Sequence, residues 1–158
     1  MSLITDTIFV KAIRSNPTLL ALLAAGDVYN TTIPVPEEEL DNAPVPYVIV
    51  AFNGLTNADQ TKDSLYEGST DRVQISIEVV AKTRPQLGEI VNLIRHTVRN
   101  YFVNAQPSDE DYALIPIDYD FSADKVMYDE FKPAYGQVLN YQCEVQNIDD
   151  YGQEESAS

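Results

Sequence analysis

With 158 residues and 44% of them hydrophobic, the chain is long enough to bury one core and too rich in apolar residues to stay disordered. Acidic residues outnumber basic ones 25 to 10, for a formal charge of -15, and the ten cations are scattered along the sequence, which disfavours a surface that grips nucleic-acid phosphates. The single cysteine, Cys143, excludes an internal disulfide, no segment has the layout of a signal peptide, and the longest near-apolar run, Leu19 to Ala25, is far short of the ~20 residues of a membrane span, so synthesis in a reducing cytoplasm is expected.

The first segment, Ser2 to Arg14, spaces Leu3, Ile4, Ile8, Ala12 and Ile13 as one face of an amphipathic helix, with Ser2 able to cap it and Asp6 near its positive end. Asn16-Pro17-Thr18 supplies a second N-cap with proline at the first helical position, and Gly26 a stop, which predicts a short, deeply buried helix over Leu19 to Ala25. A brief Val28-Tyr29 strand follows. Residues 31 to 46, with four prolines and the cluster Glu37-Glu38-Glu39 and Asp41, cannot sit in a central strand and read as an exposed excursion.

Tyr47 to Phe52 is β-branched and aromatic, hence a strand, and Asn53-Gly54 has the chemistry of a turn that closes it. Leu55 to Thr70 then reads as a long polar loop or a loose hairpin tip. From Asp71 to Lys82, Val73, Ile75, Ile77 and Val79 alternate with Gln74, Ser76 and Glu78, the period of a strand with one buried face. Thr83 and Pro85 open a helix whose Leu87, Ile90, Val91, Ile94, Val98, Tyr101 and Phe102 share one stripe. Leu114 to Phe121 reads as a strand that Pro116 pushes to a sheet edge, and Gln137 to Gln146 as a closing strand with Leu139, Tyr141, Cys143 and Val145 on one face. The expectation is an α+β fold: one domain over residues 1 to 146, a mainly antiparallel sheet with helices on one face, and an acidic tail over 147 to 158.

Few residues invite chemistry. His96 is the one side chain suited to proton transfer near neutral pH, but it sits beside the apolar stripe of the long helix with no partner in sequence. Cys143 alternates with core residues, as a buried inert thiol does. Asp118, Asp120 and Asp124 suggest a calcium site, yet the stretch has an aromatic residue between each pair at 118 to 122 and lacks a calcium loop's glycine and distal glutamate. No phosphate cradle, paired-cysteine pattern or nucleophile elbow occurs, so neither a cofactor, nor a metal, nor catalysis is expected.

The order of elements, with Leu19 to Ala25 leading into Gly26-Asp27-Val28-Tyr29 and then Pro44-Val45-Pro46-Tyr47-Val48-Ile49-Val50, resembles the small tail-completion or tail-terminator proteins of tailed bacteriophages. The resemblance extends through Arg72 to Val80, Pro85 to Phe102 and Gln137 to Val145. It implies a structural virion protein, assembled in the bacterial cytoplasm. The protein would form a homo-oligomeric ring, commonly a hexamer, at the head-proximal end of the tail tube. Its implied partners are the tube protein and the head connector, with DNA passing through unbound. The alternatives are another neck or baseplate ring component, or a cytoplasmic small-ligand binding protein or hydrolase using residues 118 to 129.

For such a ring, Leu55, Leu65 and Tyr66 are the expected subunit contact, because they have no intrachain period. Glu37, Glu38, Glu39, Asp118 and Asp120 are the expected carboxylates of a lumen that repels phosphate.

Overall fold

The computed structural model describes residues 5–36, 43–57, 70–105 and 114–147. Helix α1, Thr5–Arg14, carries Asp6 in its first turn and Lys11 and Arg14 in its last, each sign at the end of the helix dipole that favours it. Its Ile8, Phe9, Ala12 and Ile13 are buried, so the apolar face read from the sequence is the one that packs. The expected starting residues Ser2, Leu3 and Ile4 lie outside the described residues.

Helix α2 corrects the expectation of a deeply buried helix through Ala25, since it spans only Pro17–Ala21. Asn16 caps it, its side-chain oxygen accepting from the amides of Thr18 (3.1 Å) and Leu19 (3.3 Å). Termination follows from competition for hydrogen bonds: the Ala24 amide donates to the Pro46 carbonyl at 2.9 Å, which draws the chain onto the start of a strand. Only Leu19 and Leu23 of this run are buried, while Ala21, Ala24 and Ala25 are exposed.

Among the described residues six strands form one sheet, ordered β1-β2-β3-β6-β4 with β5 also on β6. They are β1 Tyr29–Asn30, β2 Tyr47–Asn57, β3 Thr70–Ala81, β4 Leu114–Ala123, β5 Met127–Asp129 and β6 Ala134–Asn147. All pairs are antiparallel except β1 with β2. The first strand therefore lies one residue later than Val28-Tyr29. Pro116 does fall on an edge strand, at the register shift between Pro116 and Asp118.

Asn53-Gly54 is not a turn. Phe52 pairs with Ile75 and Gly54 with Gln74, which leaves Asn53 as the extra residue of a bulge inside β2. Gly54 adopts φ 156°, a backbone that residues with side chains rarely take. The strand then runs on to Asn57, so the polar segment expected to begin at Leu55 starts as ladder.

Helix α3, Arg84–Asn100, has the Thr83 cap and early proline expected of it, and its stripe of Leu87, Ile90, Val91, Ile94 and Val98 is buried. A single π-helical turn, Tyr101–Ala105, extends it. The stripe packs with α1 onto one sheet face, made of Val48 and Val50 of β2, Val73 to Val79 of β3, and Leu139, Tyr141 and Cys143 of β6. Burying each such side chain contributes about 1.5–3 kcal/mol. Within this core the rings of Phe102, Phe9, Tyr141 and Phe121 form a chain with centroids 5.0 to 5.2 Å apart. The other sheet face carries no helix among the described residues.

Candidate assembly surface

The register separates the uncovered face into two halves. Toward the start of β4 and the end of β6 it is polar: Gln74 lies opposite Gln142, which lies opposite Asp120, and Arg72 lies opposite Glu144 with an ion pair at 3.6 Å. That pair is about half exposed on each side and contributes little. At the other end Tyr47 and Gly136 flank Val80, and Met127 lies beyond Gly136, so the same face becomes apolar.

On this apolar end stands the hairpin of β5 and β6, closed by residues 130–133. Three side chains of this arm are exposed though apolar or aromatic: Met127, Tyr128 and Phe131, the last 100% exposed. Local bonding holds them in that position. The Asp129 carboxylate accepts from the amides of Phe131 (3.0 Å) and Lys132 (3.3 Å), an Asx turn that leaves the Phe131 ring directed into solvent. Tyr128 packs across the pair on Tyr135 with centroids 4.9 Å apart, and Lys132 Nζ sits 5.4 Å from the Tyr47 ring centroid.

Beneath the arm lies an open cavity of about 570 Å³ lined by Tyr47, Glu78, Val80, Met127, Phe131 and Lys132. A neighbouring one of about 530 Å³ continues past Met127 to Lys125 and Val138. Burial raises the Tyr47 phenol above its usual range, and the negative charges of Glu78 and Asp129 add to the effect. Charged side chains, Glu78, Glu130 and Lys132 among them, rim the groove around Val80 and Met127, and an apolar projection beside such an apolar strip gains from leaving water. The arrangement suits association with another protein surface.

The residues singled out from the sequence do not converge. Leu55 pairs with Val73 and is 37% exposed, at the outer end of the helix-covered face. Asp120 is exposed on the opposite face, two strands further on than Val73. Asp118 sits opposite Glu144 in β4. Leu65, Tyr66, Glu37, Glu38 and Glu39 lie outside the described residues. Asp124 is bound to its own fold, accepting from Asn140 Nδ2 at 2.9 Å, while its backbone carbonyl accepts from Gln137 Nε2 at 2.8 Å. Among the described residues no three His, Cys, Asp or Glu side chains are placed to hold a metal ion. His96 is exposed and Cys143 fully buried.

Sequence reasoning missed the arm altogether. Asp129 and Pro133, four residues apart between Met127-Tyr128 and Ala134-Tyr135, are a hairpin signal, but a three-residue strand is too short for periodicity to register. The exposure of Phe131 depends on tertiary placement. A further correction concerns the cations: Arg95 and Arg99, scattered in the sequence count, meet on one face of α3.

No protein-family model and no curated protein matches this chain. Among solved structures, a chain from the virion of a native gene transfer agent particle shares the fold, with a TM-score of 0.56 at 13% identity over 87% of this chain and 91% of that one.

Proposed function

We propose that the chain is a structural component of a phage-type virion, and that within it the chain is a tail terminator or completion protein. It would form a homo-oligomeric ring at the head-proximal end of the tail, stop tube growth and meet the head connector. The observation that carries the coarser statement is a fold shared with a virion component over nearly all of both chains. An exposed apolar arm beside a groove with an apolar floor and a charged rim supports the view that function resides in assembly. The finer assignment rests on the order of elements that resembles tail-completion proteins. In this reading no residue performs catalysis, the genome passes without being gripped, and Asp120 on the polar half of the open face, with Asp118 two residues before it in β4, are candidates to border its path.

Negative-stain electron microscopy and sedimentation of the purified chain, alone and with polymerised tail tubes, test the proposal. Rings that bind one end of the tubes are expected. A monomer at every concentration that also ignores tube ends would overturn it, and rings that bind elsewhere would favour another neck or baseplate layer.

A further inference from the structure

Of the charged side chains around the groove, Glu78 alone comes from the middle of the sheet. It lies in β3 between Ile49 of β2 and Val138 of β6, is partly buried, and lines both cavities. Gly136, two residues before Val138, keeps the floor beside it low. A Cβ there would meet the Val79 carbonyl oxygen and Val80 Cγ2 at 3.7 Å, an ordinary contact, and the residue does not adopt positive φ. Nothing in the chain's own fold therefore requires glycine at this place, and a strand glycine of this kind leaves room for close approach from outside. A charge of the opposite sign stands at the far end of the same sheet. Arg72 is the one Lys or Arg in the six strands. Its side chain is 58% exposed, and its contact with Glu144 at 3.6 Å is long and open to water. It lies opposite Thr56 and so at the same end as Leu55. Within one chain Arg72 and Glu78 are six residues apart on a single strand, ~20 Å, too far for one to neutralise the other.

We infer that the occupant of the groove is the Arg72 end of a second copy of this chain, with its guanidinium on Glu78. Charge complementarity carries the choice. A planar guanidinium binds a carboxylate bidentately, and its weakly hydrated faces suit a floor of Val80 and Met127 beside the Tyr47 ring. The negative charges of Glu78 and Asp129 add to burial in raising the Tyr47 phenol, so a cation entering the groove meets a field of the right sign. A foreign cation would satisfy the carboxylate equally, but the sheet of the same chain presents one arginine, exposed, at the end that also carries Leu55. The contact that places Arg72 on Glu78 therefore brings Leu55 toward the arm. The inference rests on the reading that the chain assembles with copies of itself, and it adds the charge pair that fixes the orientation of the contact.

Charge reversal on the full chain tests it. Glu78→Arg and Arg72→Glu each place like charges in every contact between identical copies, so each variant alone should associate ~10-fold or more weakly in a sedimentation-velocity concentration series. Mixed one to one, the two variants again offer opposite charges at every contact between unlike copies, and association should return toward that of the unaltered chain. Recovery on mixing cannot come from a pair within one chain. Thermal unfolding reads the fold of each variant. Where a reversed chain folds poorly, Glu78→Gln, Arg72→Gln and the two combined give the same answer as a cycle, in which the combined variant should associate no more weakly than either single one. A mixture as weak as its components, or a cycle in which the two losses add, would overturn the pair while leaving assembly intact. An unaltered chain that stays monomeric at every concentration would overturn the assembly reading and this inference with it.

Discussion

Replacing Phe131 with serine separates folding from assembly, because the ring is fully exposed and touches nothing its own fold requires. A surface substitution of this kind leaves subunit stability nearly unchanged, and for a chain of this size the melting temperature should move by less than ~2 °C. In an assembled contact the same ring would bury roughly 150–250 Å², and at ~25 cal/mol per Å² the gross gain is about three to four and a half orders of magnitude in dissociation constant. Ordering and desolvation costs reduce that, and truncating a central aromatic anchor typically weakens association by ~30-fold or more. In a ring each subunit makes two such contacts, so the loss compounds. Sedimentation velocity across a concentration series reads association, and thermal unfolding reads the fold. Unchanged association with an unchanged fold would remove Phe131 from the interface. A large fall in melting temperature of the dissociated subunit would show that the ring packs on its own chain.

Ile94 is fully buried under the sheet, so Ile94→Ala should cost about 2–5 kcal/mol and Ile94→Asp should abolish soluble expression; a soluble, cooperatively melting Asp variant would contradict the packing. Asn16 both caps α2 and donates from Nδ2 to Thr97 Oγ1 at 2.9 Å, so Asn16→Ala should lose about 2 kcal/mol, and denaturant unfolding should show it to be less than additive with Thr97→Val. Burial raises the Asp6 carboxyl above its ordinary range, opposed by hydrogen bonds from the amides of Asp6 and Thr7 and from the Asn30 side chain. The stability it contributes is therefore full below the unfolded pKa and lost as pH rises through the folded one. Any advantage of Asp6→Asn should appear at neutral pH and disappear as pH falls through the carboxylate range; a pH-independent difference in unfolding free energy would refute this. If the polar half of the open face borders the genome path, Asp118→Lys with Asp120→Lys should make assembled protein bind DNA at low salt, and salt-insensitive absence of binding would exclude these two positions.

Most of the fold was legible because most of it repeats a period. The alternation from Val73 to Val79 and the stripe from Leu87 to Val98 each place one face in the core, and the structure packs those two faces together. Pro116 indicated an edge for a reason that holds in any sheet, namely its missing donor. Misreadings arose where a local signal has two outcomes. Asn53-Gly54 serves a turn or a bulge equally well, and the ladder that β3 offers through Gln74 and Val73 decides for the bulge. Leu19 to Ala25 is apolar throughout, which suits a buried helix, yet the Pro46 carbonyl captures the Ala24 amide and ends the helix at one turn. The candidate surface was the least legible part, since it consists of side chains left outside the core, and sequence patterns report chiefly what goes in.

The placement of the exposed apolar residues bears on the kind of assembly. Leu55, opposite Val73, lies at one end of β3 on the helix-covered face. Met127 lies beside Gly136, which is opposite Val80, at the other end and on the open face. Seven residues of strand separate Val73 from Val80, ~23 Å. Leu55 and the arm, at opposite ends and on opposite faces, are too far apart to share one compact self-complementary patch. They suit a head-to-tail contact, in which the arm of one subunit meets the far end of the next. Repeated around an axis, such a contact gives a ring if its rotation closes and an open filament if it does not; in the proposed ring, Leu55 and the exposed arm would be the two halves of one interface.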